Sequence, residues 1–255
     1  SINNSAHIIA VSNSTKEDIV KNYKVTPAKI TVTYEGYNKD LFKPQPETRT
    51  DLVKNKYKTG ENYIIFVGTL QPRKNIERLI EAFGQVIRKL GNQVIRSDNP
   101  TVRIPENLKL VIVGKKGWLY DSILQKAKEL GIEKQVVFTG FVPGEDLPAL
   151  ISQAQAYVLP SLWEGFGIPV IEAQACSVPV VVSNTSSLPE ITAGSGILVD
   201  PTDTKSIAKG ITKALDAKTK TDLVRRGFEN IKRFSWEKCA GETLEILESL
   251  SKNSS

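Results

Sequence analysis

Asn62-Tyr63-Ile64-Ile65-Phe66-Val67-Gly68-Thr69-Leu70-Gln71-Pro72-Arg73-Lys74-Asn75-Ile76 decides the fold, because it runs from a buried strand through a charged turn into a helix. Residues 62–67 are apolar at successive rather than alternate positions, the pattern of a strand covered on both faces. Beyond the turn, Leu79, Ile80, Phe83, Val86, Ile87 and Leu90 recur at helical spacing. The same alternation continues downstream. Strands are predicted at 108–114, 135–140, 156–160, 178–183 and 196–199, and helices at about 119–130, 146–155, 169–176, 204–216 and from 221 onward. Strands alternating with helices imply right-handed crossovers, and so an α/β fold with a doubly wound parallel (Rossmann-like) sheet. Ligands of such sheets sit at the carboxyl ends of the strands, which directs attention to the loops after the first, third and fourth strands of this run.

Toward the N-terminus the pattern differs. Ile8–Ser12 and Lys29–Thr33 read as strands with a helix at Thr15–Tyr23 between them, and Lys43-Pro44-Gln45-Pro46-Glu47-Thr48 reads as a connector. Residues 1–43 are therefore expected to be the tail of a preceding domain, 44–60 a linker, 61–233 the α/β domain and 234–255 a C-terminal helix. Residues 91–107 read as a long surface loop.

Composition narrows the chemistry. The chain has 255 residues, 40% hydrophobic and 24% charged, with a formal net charge of +6. That is the make-up of a globular protein with a slight preference for anions. Its 34 basic residues are dispersed among 28 acidic ones without interleaved aromatics, so no nucleic-acid partner is expected. No apolar run approaches the roughly 18 residues of a membrane span, and the opening residues lack the basic and apolar blocks of a secretory signal. Two cysteines, Cys176 and Cys239, with a single His7 cannot complete a zinc site, so no metal is expected. So few cysteines favour a reducing compartment, hence a cytoplasmic location, with both thiols buried on helices. Methionine is absent, and the sequence is therefore expected to be part of a longer or processed chain.

The loop after the fourth strand reads Trp163-Glu164-Gly165-Phe166-Gly167-Ile168-Pro169-Val170-Ile171-Glu172. Pro169 suits the first turn of a helix, where a missing N–H costs nothing. The amides ahead of it are then free to meet an anion, and Gly165 and Gly167 allow close approach. Glu164 and Glu172 bracket this turn, and carboxylates accept strong hydrogen bonds from sugar hydroxyls. After the first strand, Gly68 opens a loop in which Arg73 and Lys74 stand just ahead of a helix. Cations there oppose the helix dipole, which makes sense if an anion lies between them and the helix end. Val142, in Gly140-Phe141-Val142-Pro143-Gly144, is a candidate contact for a base. The spacing of a P-loop or of a dinucleotide fingerprint is absent, and one histidine permits no Ser/His/Asp arrangement.

Together these residues resemble the retaining glycosyltransferases of the GT-B fold, family 4, a group that includes sucrose-phosphate synthase and many bacterial mannosyl- and glucosyltransferases. The E-x7-E element of that family is similar to Glu164 through Glu172, and its basic pair to Arg73 and Lys74 within VGTLQPRKN. HIIAVSNSTKEDI, KITVTYEGYN and LPEITAGSGILVDP also resemble it. The resemblance implies the C-terminal, donor-binding half of the enzyme, with residues 1–43 the end of the acceptor domain. By it, Arg73 and Lys74 hold the diphosphate of a nucleotide-sugar (UDP-glucose or GDP-mannose type), Glu164 binds the transferred sugar and Glu172 the ribose. Phe166, Gly167 and Ile168 contribute amides, and Gly68, Val142 and Gly165 complete the substrate-binding set. No cofactor or metal is implied. The acceptor is a glycan or lipid-linked glycan held by the N-terminal domain, with peripheral contact to the cytoplasmic membrane face. Transfer by this portion alone is not expected. Gln174 and Ser177 depart from the usual methionine and glycine. A nucleotide-sugar epimerase and a non-catalytic nucleotide-sugar-binding module remain alternatives.

Overall fold

The computed structural model describes residues 2–91, 104–115, 117 and 120–252. In chain order these form β1 (Ile8–Ala10), α1 (Asn13–Tyr23), β2 (Ile30–Val32), α2 (Glu47–Tyr57), β3 (Tyr63–Val67), α3 (Ile76–Gly91), β4 (Lys109–Val113), α4 (Tyr120–Glu129) and β5 (Val136–Gly140). They continue with α5 (Leu147–Ser152), β6 (Ala156–Leu159), α6 (Ile168–Ala175), β7 (Val180–Ser183), α7 (Leu188–Thr192), β8 (Ile197–Val199), α8 (Thr204–Ala214), α9 (Ala217–Ile231) and α10 (Trp236–Lys252).

Six strands make one all-parallel sheet in the order β5-β4-β3-β6-β7-β8. The doubly wound class expected from the sequence is therefore the fold observed. From β3 the chain winds outward through β4 to β5, then crosses back and winds the other way through β6 and β7 to β8. The switch lies between β3 and β6, where outgoing loops diverge and leave a crevice at the strand ends. The core sits where parallel sheets require it. β3, β6 and β7 are buried almost end to end, α3 packs on α4 and α8, and α6 packs on α5 and α9. Each fully buried Val, Leu, Ile or Phe contributes about 1.5–3 kcal/mol, and these strands hold little else. At the crevice, a Cβ on Gly114 would stand 1.9 Å from the Gly68 carbonyl oxygen, so the loops after β3 and β4 meet backbone to backbone.

β1 and β2 form a separate parallel pair with its own small core of Ala10, Val25 and Ile30. Tyr37 and Phe42, inside the segment expected to be a domain tail, belong instead to the main core. The expected linker, 44–60, is corrected by α2. Pro46 stands at the N-cap and no later residue breaks the helix, while Lys56 Nζ and Tyr57 OH bond Asp146 Oδ2 at 2.7 and 2.9 Å. With Val53 as its buried apolar residue, the helix docks through polar contacts, and apolar periodicity gave no sign of it. The separate C-terminal helix expected at 234–255 is α10, parted from α9 at residues 232–235. There α10 begins against Gly36, whose Cβ would lie 2.2 Å from the Trp236 nitrogen. α10 itself buries no residue. Cys176 is buried as expected, but Cys239, on this helix, is half-buried. Residues 92–103 of the expected surface loop lie outside the described residues. Among the described residues no helix is long and apolar enough to cross a membrane.

Candidate functional site

The loop after β3 carries Arg73 and Lys74 in a single 3-10 turn (Pro72–Lys74), which Asn75 ends in the left-handed conformation. Asn75 is buried and donates to the carbonyls of Pro160 (2.9 Å) and Pro201 (2.7 Å), so the turn is tied to the ends of β6 and β8. The amide of Leu162 donates to the Arg73 carbonyl at 2.8 Å. The loops after β3 and β6 are thus joined directly across the switch point.

Glu164 lies at their junction and is buried. Lys74 Nζ donates to Oε1 at 2.5 Å and Arg73 Nη1 to Oε2 at 3.0 Å, while Ser161 Oγ donates to Oε1 at 2.6 Å. Arg73 Nη1 also reaches the Trp163 carbonyl at 3.1 Å. Two cations on one carboxylate leave a net positive cluster, with Lys74 almost enclosed and Arg73 42% exposed. The convergence of Arg73, Lys74 and the Gly165–Gly167 turn that the sequence predicted is present.

The turn is shaped by its glycine and its proline. Gly167 is the N-cap of α6 at φ 113, a left-handed conformation natural to glycine, and Pro169 lies in the first turn. Among the described residues the amides of Phe166, Gly167 and Ile168 have no backbone acceptor. The Phe166 side chain points inward instead, packing edge-on to Phe234 at 5.6 Å and against Tyr34 at 6.0 Å. Gly68 lies beside the cluster, where a Cβ would stand 3.5 Å from Lys74 Cε.

Glu172 sits one turn into α6 with a different environment. Among the described residues its carboxyl group has no hydrogen-bond partner, and burial pushes that carboxyl up to about 7. Val142 corrects one expectation. Its side chain is buried in the main core, so a ligand at the β5 loop would meet backbone there rather than the valine itself.

Several residues at the site were not singled out individually in the sequence, although they fall in the segments that resemble the family. Ser12 Oγ and Thr15 Oγ1 both donate to the Gly165 carbonyl, at 2.7 and 3.1 Å, which fastens the start of α1 to the turn. Glu190 on α7 accepts from Asn13 Nδ2 and Tyr34 OH, both at 2.6 Å, and from the Asn13 amide at 2.9 Å. Burial alone would raise the Glu190 carboxyl, but the bonds from Tyr34 and Asn13 outweigh it and hold it below its usual value. These residues lie some 20 to 180 positions away in sequence, and only Ser161, three residues ahead of Glu164, could have been suspected locally.

Comparison with known proteins agrees with this geometry. The family model described as glycosyl transferases group 1 matches residues 47–233. O-antigen chain mannosyltransferase B of Escherichia coli is 31% identical over 245 residues, covering 96% of this chain and 61% of its own. O-antigen chain mannosyltransferase RfbU of Salmonella typhimurium is 31% identical over 238 residues, covering 91% and 59%. Among solved structures, sucrose-phosphate synthase from Thermosynechococcus elongatus superposes with a TM-score of 0.80 at 26% identity, covering 99% of this chain and 60% of that one. The chain spans about three fifths of the length of these curated relatives. The family match over residues 47–233 and the sequence relatives lead to one assignment, with which the fold agrees: the chain belongs to the glycosyl transferases group 1 family.

Proposed function

We propose that this chain is the donor-binding half of a retaining, metal-independent glycosyltransferase that takes a nucleoside-diphosphate sugar. The observation that carries the reading is the meeting of Arg73, Lys74 and Glu164 beside the open amides ahead of α6. A diphosphate between the cations and those amides would gain charge-assisted bonds from both. As the bond between the anomeric carbon and the leaving oxygen stretches, negative charge grows on the diphosphate, and Arg73 and Lys74 are already in place to stabilise it. Glu164 would accept from hydroxyls of the transferred sugar, and Glu172 would meet the ribose. Relatives named as mannosyltransferases, one of them GDP-mannose-dependent, favour a mannosyl donor over a glucosyl one. The acceptor, a glycan or lipid-linked glycan, would be held by a further domain at the cytoplasmic membrane face.

A thermal-shift series with UDP, GDP and ADP, followed by calorimetry with the matching sugar nucleotides, tests this. One nucleoside diphosphate should raise the melting temperature, GDP foremost. A folded sample that binds none of them would end the proposal.

A further inference from the structure

The loop after β7 reads Asn184-Thr185-Ser186-Ser187, and its three successive hydroxyls all contact the backbone of residues 162–166. Thr185 Oγ1 reaches the Leu162 carbonyl at 3.5 Å. Ser186 Oγ accepts from the Glu164 amide at 3.0 Å. Ser187 Oγ, fully buried, donates toward the Glu164 carbonyl at 3.0 Å and the Phe166 carbonyl at 2.7 Å. Both peptide units that flank the Glu164 Cα are therefore held by consecutive residues of one loop.

Consecutive side chains of an extended chain face opposite ways. Ser186 breaks that alternation with φ 54, a left-handed conformation that serine seldom adopts. The turn brings two neighbouring hydroxyls to the same stretch of backbone. Ser186 Oγ also donates to the Thr185 carbonyl at 2.7 Å, a local bond that fixes its rotamer. Unfavourable backbone at a residue touching a candidate site is the kind of feature that structure maintains for positioning.

We infer that Ser186 is a positioning residue for Glu164: with Ser187 it sets the backbone direction from which the Glu164 carboxylate addresses the sugar of the donor. The inference rests on the donor-site reading above and deepens it. Arg73 and Lys74 bond Glu164 but are anchored separately, by Asn75 to the Pro160 and Pro201 carbonyls, so loss of the Ser186 hydroxyl should alter recognition of the sugar more than recognition of the diphosphate.

The test uses calorimetry on the 255-residue chain with GDP, GDP-mannose, UDP and UDP-glucose, in wild type, Ser186→Ala, Ser186→Gly, Glu164→Gln and the double variant Ser186→Ala/Glu164→Gln. The readout is the ratio of sugar-nucleotide to nucleotide affinity. Both Ser186 variants should lower that ratio about five- to tenfold, the scale of one lost hydrogen bond, with nucleotide affinity changed less than about twofold. Ser186→Gly should at the same time melt higher than Ser186→Ala, because glycine relaxes the left-handed backbone. A merely structural role would make the affinity ratio follow the melting temperature, and that result overturns the inference. In the double variant the Ser186 change should have no further effect. Retention of the wild-type ratio in both Ser186 variants, while Glu164→Gln loses it, overturns the inference alone. A Glu164→Gln variant with the wild-type ratio, or a wild-type chain that binds no nucleotide, overturns the donor-site reading and this inference with it.

Discussion

The two acids that bracket the turn before α6 live in opposite surroundings. Glu164 is held fast: Lys74 and Ser161 bond its Oε1 and Arg73 its Oε2, which leaves one acceptor position on Oε2. Glu172, eight residues on, faces no cation and no donor among the described residues, and burial leaves it with a carboxyl near 7. A sequence motif presents them as equivalent ends of one element. The tertiary environment makes one a component of a rigid charged cluster and the other a solitary group awaiting a partner. In the proposed reaction this division is useful, since the sugar end requires fixed geometry and the ribose end only an acceptor.

The largest effect expected from this contrast is at Lys74. Lys74→Ala removes one member of a nearly enclosed pair while Arg73 and Ser161 still hold Glu164, and should destabilise the chain by about 3 kcal/mol, the upper end for a charged hydrogen bond, read from urea unfolding. A loss below about 1 kcal/mol would show that Glu164 does not depend on Lys74 in solution, and the contrast would dissolve.

Next comes the pH dependence of Glu172. Between pH 4.5 and about 7 the folded carboxyl keeps a proton that the unfolded chain has released. The unfolded state is then favoured as pH rises through this window, and the effect amounts to about 3 kcal/mol at its upper end. Glu172→Gln should remove that slope, so that the variant gains on wild type between pH 5 and pH 8 in paired unfolding curves. Parallel curves for the two proteins would mean that Glu172 is solvated or paired after all.

The smallest change in stability is expected at Arg73, because that side chain is 42% exposed. Arg73→Ala should cost less than about 1 kcal/mol in stability. It should nonetheless weaken nucleoside diphosphate binding about tenfold or more in calorimetry, through the loss of charged hydrogen bonds. Equal affinities for variant and wild type would sharpen the comparison differently, by assigning the diphosphate to Lys74 and the open amides alone.

Much of this site was legible in advance, and the limits have a physical cause. Arg73 and Lys74 stood out because cations ahead of a helix are electrostatically misplaced unless an anion is near. Glu164 stood out beside two glycines and a proline-started helix. Val142 misled, since loop composition says nothing about which way a side chain turns, and α2 was missed because a helix docked by Lys56, Tyr57 and Asp146 carries little apolar period.

From the chain alone came the parallel sheet, the strand-end position of the site and the cations and carboxylates within it, because apolar runs, helix-start chemistry and charge near a helix end are local properties. Folding in three dimensions decided the rest: the juxtaposition of the β3 and β6 loops at the switch point, the serines of the β7 loop beneath Glu164, and the solitude of Glu172. Those depend on which distant segments become neighbours, and desolvation or hydrogen bonding by such neighbours is invisible until the chain is packed.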